Sequence, residues 1–293
     1  MPIVACIPAY NEENSIRKTI YEVSQFVDKV VVCDDGSNDK TSSVAESAGA
    51  FVIKHSKNQG KGAAMKSLFE FAKSASFDVM ITIDADGQFL PEEIPKLTKP
   101  ILENKSDVVI GYRFDDTTEM PGYRKFGNKM LDKMTNLASD LPFKDTQSGF
   151  RAYSREAIEK IQFKTDGFGA DSEILVDAAK KRLKISEEKA TVIYNTGERT
   201  STKNPISHTG EVIVSLIELI AIRSPLKALG IPGIILVFIG IYFSTITITL
   251  FNETRYFSIP NTLISLGTII IGLMLVLMSV LLFSISKTKN NEN

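Results

Sequence analysis

Two carboxylates and a side-chain amide follow the apolar run Met80–Ile83 at short spacing: Asp84, Asp86 and Gln88. Oxygen ligands of this kind suit a hard divalent cation. Two carboxylates so close together raise one another's proton affinity unless a positive charge lies between them. A divalent cation that bridges to a diphosphate would remove this repulsion and neutralise charge on a departing diphosphate. The competing interpretation is an ordinary surface turn, in which Asp-x-Asp is common.

A second acidic turn, Asp34–Asp39, follows the apolar run Val30–Cys33. Its acids can accept hydrogen bonds from a ribose or a base edge, and its Ser37 or Asp39 can also cap a helix beginning near Lys40. We expect both roles.

The segment Asn58–Gly62 places Lys61 among flexible backbone amides at a predicted helix start, where a phosphate or sugar can bind. The segment is too short for a P-loop, which argues against Walker-type nucleotide hydrolysis. Neither His55 nor His208 is expected to be catalytic, because no partner triad is recognisable.

Apolar β-branched runs alternate with helical stretches through residue 111, a pattern typical of a parallel sheet in an α/β domain. The predicted strands are 3–7, 29–33, 51–54, 78–83 and 107–111, and the predicted helices are 13–27, 40–48, 61–74 and 91–103. Sites in such sheets form at the carboxyl ends of the strands, which is where the acidic turns and Lys61 lie. Between 112 and 205 the alternation stops, and helices with a few short mixed strands are expected.

Charge is almost balanced, with 34 Lys+Arg against 35 Asp+Glu, so a nucleic-acid-coating role has little support. Cys6 and Cys33 lie within apolar runs and lack the spacing of a metal or redox pair, so inert core thiols are expected. Met1-Pro2 leads directly into the first strand without a signal-peptide pattern, and we expect the N-terminal domain to stay in the cytoplasm.

The C-terminal part differs sharply in composition, because Glu253 and Arg255 are the only charged residues between 228 and 286. Its two uncharged runs each exceed the roughly 20 residues that a membrane-spanning helix needs. The predicted organisation is a cytosolic domain (1–205), an amphipathic interfacial helix or linker (206–227), a transmembrane hairpin (228–286, helices about 228–251 and 257–285) and a cytosolic tail (287–293). An ordinary core-packed helix is the alternative for 208–224.

Basic residues flank the predicted hairpin on one side, namely Arg223, Lys227, Lys287 and Lys289. By the positive-inside preference, the soluble domain should face the cytosol. Polar residues of the spans, including Ser265 and Thr268, could pair with a second hairpin and give a homo-oligomer.

Four ordered motifs carry a family resemblance: Pro8–Glu13, Asp34–Ser37, Asn58–Gly62 and Asp84–Gln88. In this order they resemble family 2 glycosyltransferases, whose GT-A fold is Rossmann-like with a mainly parallel sheet. Together with a following membrane hairpin, the chain is most similar to the polyprenyl-phosphate branch, which includes dolichyl-phosphate mannose and glucose synthases and bacterial undecaprenyl-phosphate glucosyltransferases.

The resemblance implies that Asp84, Asp86 and Gln88 hold Mg²⁺ or Mn²⁺, with Asp86 central to catalysis. It places the nucleotide-sugar, GDP-mannose or UDP-glucose, against Pro8, Tyr10, Glu12, Asp35, Lys61, Asp84 and Gln147. The segment Asp145–Arg151 matches the branch's Asp-x-Gln-x-Gly-Phe-Arg/Lys pattern, which lies beside the donor sugar and acceptor.

The acceptor phosphate is assigned to basic side chains, because guanidinium groups bind phosphate with paired hydrogen bonds. The candidates are Arg113, Arg124, Arg199 and Lys203, of which the resemblance supports Arg113, Arg199 and Lys203; solvated surface charges or headgroup contacts are the alternative. Arg113 and Arg199 are also expected to be catalytic, by stabilising the departing nucleoside diphosphate together with the metal. Asp171 occupies the place of a base in many inverting members. A lipid phosphate is already anionic, so Asp171 and Glu173 are expected to position groups, with helix capping by Asp171 as the alternative.

The resulting expectation is a membrane enzyme that transfers mannose or glucose, with inversion, from a nucleotide-sugar to polyprenyl or dolichyl phosphate. The sequence contains no tryptophan, so it lacks the Gln-x-x-Arg-Trp segment of processive polysaccharide synthases. A different lipid acceptor, or an inactive nucleotide-sugar-binding subunit of a membrane complex, are the two alternatives.

Overall fold

The computed structural model describes residues 1–113, 131–133, 135–136, 139, 141–164, 169–193 and 226–291, with side chains in the last range at 226 and 229–284. The chain divides into two compact units, Met1–Leu216 and Ile217–Asn293. The predicted boundaries at 205 and 227 and the predicted helix at 208–224 lie outside the described residues or their side chains, and they stay predictions.

Within the described ranges, the first unit contains seven strands and six α-helices. The strands are β1 (Ile3–Ala9), β2 (Lys29–Asp34), β3 (Phe51–Lys54), β4 (Val79–Thr82), β5 (Val108–Tyr112), β6 (Arg151–Ser154) and β7 (Ile185–Lys189). The helices are α1 (Ile16–Val23), α2 (Thr41–Ser47), α3 (Lys61–Ser74), α4 (Ile94–Leu102), α5 (Arg155–Lys160) and α6 (Ala170–Lys180). The five strands predicted from the sequence are confirmed within two residues.

One mixed sheet joins the seven strands in the order β3-β2-β1-β4-β6-β5-β7. Only β6 runs antiparallel to its neighbours β4 and β5, whereas the other pairs are parallel. The chain leaves β1 towards β2 and β3 on one side, and β4 lies on the other side. Strand order therefore reverses between β1 and β4, and ligands of open α/β sheets bind at such a crevice.

Helices cover both faces of the sheet. Neighbouring side chains of a strand point to opposite faces, so the apolar strands present apolar side chains on each face, and both faces must be buried. On one face Ala5 and Ile7 of β1 pack with residues of α1, α2 and α4. On the other face Val4 and Cys6 pack with residues of α3, α5 and α6. Both cysteines are buried free thiols, Cys6 and Cys33, and burial raises the pKa of Cys33 to about 12.

In its described part, 226–291, the second unit contains two long apolar helices, α7 (Ile231–Thr254) and α8 (Ile259–Asn291), both long enough to cross a membrane. They pack closely through glycines: a Cβ added at Gly233 would lie 2.7 Å from the carbonyl oxygen of Gly272. Ser265 Oγ also donates to the Gly240 carbonyl at 2.9 Å. Ser265 therefore contacts the other helix of its own hairpin, and the expected homo-oligomer stays a prediction.

Two glycines with positive φ offer a matched test of the loop after β2. Gly36 has φ +73°, and a Cβ there would overlap the backbone of Lys57 and Asn58; Gly49 has φ +90° and nothing within 4 Å. Gly49→Ala should cost only the left-handed strain, about 1–2 kcal/mol. Gly36→Ala should cost more and lower the melting temperature further, because the loop must also move. Equal melting temperatures for the two variants would contradict this packing.

Candidate active site

The predicted metal ligands lie in the turn after β4, at the carboxyl edge of the sheet. The backbone amide of Gln88 donates to Asp86 Oδ1 at 3.1 Å, which closes the turn. The turn is attached to α1 by Thr19, whose hydroxyl donates to the Ala85 carbonyl at 3.2 Å. Asp84 packs against Gly149, where any Cβ would overlap its carboxylate. The close approach explains the glycine of the segment after Gln147, a role that the sequence alone did not reveal.

Lys61 joins two of the predicted site carboxylates. Its Nζ lies 2.9 Å from Asp84 Oδ1 and 3.2 Å from Asp171 Oδ2. Asp171 is in the first turn of α6 and Lys61 is the first residue of α3. The structure thus brings together residues that are 23 and 110 positions apart in the sequence, and it directs the Asp171 carboxylate to Lys61.

The charge around Asp86 favours a cation. Burial, followed by the neighbouring Asp84 carboxylate and then Glu12, raises the pKa of Asp86 to about 7, although the Gln88 amide and Lys61 lower it. A divalent ion beside Asp84 and Asp86 would relieve this crowding of like charges. Among the described residues, no three His, Cys, Asp or Glu side chains form a metal group by themselves. The donor set of two carboxylates and an amide fits an ion whose remaining ligands come from a bound diphosphate.

Asp35 faces the protein rather than open space. Its carboxylate accepts the backbone amides of Gln59 and Gly60, at 3.1 and 2.7 Å, and contacts His55 Nδ1 at 2.7 Å. The other ring nitrogen of His55 lies 2.9 Å from Ser67 Oγ. Asp35 and His55 therefore fix the loop that leads into Lys61. His55 has a positioning role that sequence reasoning missed, and nucleotide contact by Asp35 stays a prediction.

Backbone and side-chain bonds connect the loops after β1 and β2. The Asn11 amide donates to Ser37 Oγ at 2.8 Å, and the Glu12 amide donates to Thr41 Oγ1 at 2.8 Å. Asp39 accepts the Thr41 amide at 2.9 Å, although the N-cap position of α2 itself is Lys40, which makes no side-chain cap. Pro8 is the last but one residue of β1, and half-buried Tyr10 follows the strand. These contacts hold the predicted nucleotide residues at one edge of the sheet.

Arg113 forms a bidentate ion pair with Asp145, which is fully buried. Nε and Nη2 donate to the two carboxylate oxygens at 2.7 and 2.9 Å, and the Arg113 amide donates as well at 3.1 Å. The structure therefore supplies the predicted phosphate-binding arginine with an internal partner that the sequence did not reveal. Phosphate contact by Arg113 stays a prediction.

Gln147 belongs to a buried polar network. Its amide nitrogen donates to Ser172 Oγ at 2.7 Å, and Ser172 also accepts from Thr135 Oγ1 at 3.0 Å. Arg151 is fully buried and donates to the carbonyls of Thr146 and Asp171, both at 2.8 Å. Arg151 thus fixes the turn that carries Gln147 to the start of α6. The remaining predicted acceptor residues, Arg124, Arg199 and Lys203, lie outside the described residues.

The sequence of this chain matches the model of a known family. The model for glycosyl transferase family 2 matches residues 4–162, which is more than half of the chain. The chain belongs to glycosyl transferase family 2. The matched region of the glycosyltransferase includes Lys61, Asp84, Asp86 and Gln147, whereas Asp171 lies beyond it.

Two relatives and one solved structure resemble this glycosyltransferase. A UDP-N-acetylglucosamine–dolichyl-phosphate N-acetylglucosaminyltransferase of Methanococcus voltae is 31% identical, covering 66% of this chain and 86% of its own. A dolichyl-phosphate hexose transferase of Haloferax volcanii is 31% identical, covering 61% and 77%. Glucosyl-3-phosphoglycerate synthase of Mycobacterium tuberculosis, solved with Mn²⁺ and UDP-glucose, has a TM-score of 0.59 at 24% identity and covers 74% and 78%. The likeness confirms the predicted GT-A-type fold.

The network around Gln147 makes folding stability depend on pH through Asp132. Burial, followed by the neighbouring Asp145 carboxylate, raises the pKa of Asp132 from 3.8 to about 7, although two hydrogen bonds from Thr146 lower it. Its contribution to stability is therefore complete below about pH 3.8 and is lost as the pH rises through about 7. Asp132→Asn keeps an oxygen acceptor for Thr146 and removes the buried charge.

The quantity to compare is the melting temperature of Asp132→Asn minus that of wild type. We expect this difference to be about 2–4 °C larger at pH 8 than at pH 5, because only wild type carries a buried charge at pH 8. Thermal unfolding of both proteins at the two pH values measures this. The same difference at pH 5 and pH 8 would show that Asp132 does not ionise in this range.

Proposed function

We propose that this family 2 glycosyltransferase transfers a hexose, mannose or glucose, from a nucleotide-sugar to a polyprenyl phosphate of the dolichyl type, with inversion. The observation that carries the proposal is the convergence of Lys61, Asp84, Asp86 and Asp171 at the crevice between β1 and β4. That is where open α/β sheets bind nucleotides.

The relatives support the acceptor, since both are named for transfer to dolichyl phosphate. Their names also differ in the sugar, so the choice of mannose or glucose rests on the resemblance of this chain's motifs to those of dolichyl-phosphate mannose and glucose synthases. The two apolar helices α7 and α8 support an acceptor dissolved in a membrane. We further propose that the catalytic domain lies on the cytosolic side, as the basic residues flanking the hairpin indicate.

The residues of the pocket suggest how the donor is held. Tyr10 and Asp35 follow β1 and β2 at their carboxyl ends and are proposed to line the nucleoside, and Lys61 lies at a helix start suited to phosphate. Asp84, Asp86 and Gln88 would hold Mg²⁺ or Mn²⁺, which neutralises charge on the departing diphosphate when bound. The structural neighbour was solved with Mn²⁺ and UDP-glucose, which supports this assignment.

The acceptor side needs positioning more than proton transfer. A phosphate monoester of a lipid is anionic near neutral pH, so its oxygen can attack the anomeric carbon without a base. Asp171 contacts Lys61 and belongs to the helix start held by Arg151, which suits a positioning group. Arg113, Arg199 and Lys203 are proposed to bind the acceptor phosphate, with Arg124 as a further contact.

A donor panel tests the proposal directly. Detergent-solubilised full-length protein is incubated with dolichyl phosphate and labelled GDP-mannose, UDP-glucose or UDP-N-acetylglucosamine in the presence of Mg²⁺ or Mn²⁺. We expect lipid-extractable label with one hexose donor. Label from UDP-N-acetylglucosamine alone would overturn the choice of hexose, and no lipid-extractable label with any donor would overturn the function.

Asp86→Asn tests the metal assignment. We expect turnover to fall at least about 100-fold, because charge on the departing diphosphate loses its stabilisation. The matched control is Asp78→Asn, since Asp78 precedes β4 at the opposite edge of the sheet and should leave turnover near wild type. Unchanged turnover in Asp86→Asn would reject the metal assignment.

A further inference from the structure

One lysine lies between two acidic side chains of the site. The ammonium of Lys61 is 2.9 Å from Asp84 Oδ1 and 3.2 Å from Asp171 Oδ2. The three side chains are largely buried, with exposed fractions of 17% for Lys61, 28% for Asp84 and 8% for Asp171. They come from α3, the turn after β4 and α6, so the lysine connects three elements that meet at the carboxyl edge of the sheet.

The ammonium is held as a charged group. Carboxylate oxygens of Asp84 and Asp171 lie 2.9 and 3.2 Å from its nitrogen, and opposite charges at such distances favour the charged form. Lys61 therefore provides the site with one positive charge from the protein itself. This positive charge lies beside Asp84, a carboxylate that is also proposed to hold the divalent ion.

Helix stability does not explain this lysine. Lys61 is the first residue of α3, and a positive charge at a helix N-terminus is unfavourable for the helix dipole. The four-carbon side chain is flexible, so its ammonium can change partners without movement of the backbone. Meanwhile the backbone before it is fixed, because Asp35 accepts the amides of Gln59 and Gly60.

The ammonium of Lys61 occupies a position at Asp84 that a cation would use. Its Nζ lies 2.9 Å from Oδ1, and the backbone of Gly149 lies on the side of Oδ2. A divalent ion on Oδ1 would meet the ammonium at close range, and two cations at that distance repel strongly in a buried site. Binding of the ion at Oδ1 therefore favours departure of the lysine from Asp84.

We propose that Lys61 is an exchangeable resident cation: it holds Asp84 and Asp171 together in the metal-free site, and it moves to the nucleotide diphosphate when a divalent ion binds Asp84. The inference rests on the proposed function, since it assumes the metal and the diphosphate. When metal binds alone, it must displace Lys61 from Asp84, and the lysine finds no new anionic partner. When a diphosphate is also present, the displaced lysine can pair with it, so metal and nucleotide bind cooperatively. Each then raises the affinity of the protein for the other by the same factor.

Mn²⁺ binding measures this exchange without turnover. Free Mn²⁺ is followed by electron paramagnetic resonance with full-length detergent-solubilised protein, alone and with UDP or GDP. Wild type should bind Mn²⁺ weakly alone and about ten-fold or more tightly with one nucleotide. Lys61→Met should bind Mn²⁺ alone about ten-fold more tightly than wild type and lose most of the nucleotide enhancement.

Two control variants distinguish loss of the positive charge at Lys61 from a general disturbance of the loop structure. Lys61→Arg keeps the positive charge and should bind Mn²⁺ alone much as wild type does. Lys57→Met removes an exposed lysine of the same loop and should also match wild type. The proposal is overturned if Lys61→Met binds Mn²⁺ alone no more tightly than wild type, or if Lys61→Arg shows the same tightening as Lys61→Met.

Amine labelling of wild type covers the case in which Lys61→Met does not fold. Mn²⁺ alone should increase acylation of the Lys61 amine, read by peptide mass spectrometry, while labelling of Lys57 stays constant. Unchanged labelling of Lys61 at saturating Mn²⁺ would overturn the exchange. If wild type bound no Mn²⁺ with either nucleotide, the proposed metal and this inference would both fail; if it bound Mn²⁺ and Lys61 did not respond, only the inference would fail.

Discussion

Crowding of negative charge at one edge of the sheet is the constraint on which the site depends. Asp84 and Asp86 come from the turn after β4 and Asp171 from the start of α6, and Glu12 adds to the same negative charge. Carboxylates that close disfavour one another's ionised form. Lys61 offsets part of this repulsion, yet Asp86 keeps a pKa of about 7. The protein thus maintains a site that is short of positive charge, which is the condition for attracting a divalent ion together with its diphosphate.

The fold creates this crowding through its strand order. Because β1 and β4 are adjacent while their following segments leave in opposite directions, the turns after both strands open onto one crevice. The antiparallel strand β6 then enters beside β4 and brings Gly149 against Asp84. Without a side chain at 149 the carboxylate can lie on the backbone, which leaves its other side to Lys61.

The local sequence pattern was enough to predict the strands and the acidic turns, because apolar runs and helical stretches can each be recognised within a short segment of sequence. It predicted α3 at 61–74 without error, whereas α1 is shorter than predicted at both ends. At its start, the Glu13 amide donates to Asp39 of the second acidic turn, so Glu13 belongs to the loop and not to the helix. The place of β6 between β4 and β5 was not predictable in this way. An antiparallel insertion depends on contacts between residues about 70 positions apart, such as Ile81 and Ala152.

Residue types in the sequence indicated which residues form the candidate site, but they did not indicate which hydrogen-bond or ion-pair partner each side chain has. The prediction that Lys61, Asp84 and Asp171 belong to one site agrees with their contacts, but which anion a buried lysine contacts depends on side-chain geometry. Asp35 shows the same limit: its motif predicted a ligand contact, whereas its oxygens accept the amides of Gln59 and Gly60. Buried carboxylates must find donors within the protein, and only the tertiary structure decides which donors are near.

The internal partners of the basic and acidic residues suggest a common design. Arg113 is paired with Asp145, and Lys61 is paired with Asp84 and Asp171. Unpaired buried charges would be costly, so a site proposed to receive anionic phosphates needs cations that are satisfied before the ligand arrives. Pairing with carboxylates meets that need for both cations. In the proposed exchange at Lys61, the pair with Asp84 lowers the affinity for the metal ion alone, because the ion must compete with an ammonium that is already in place.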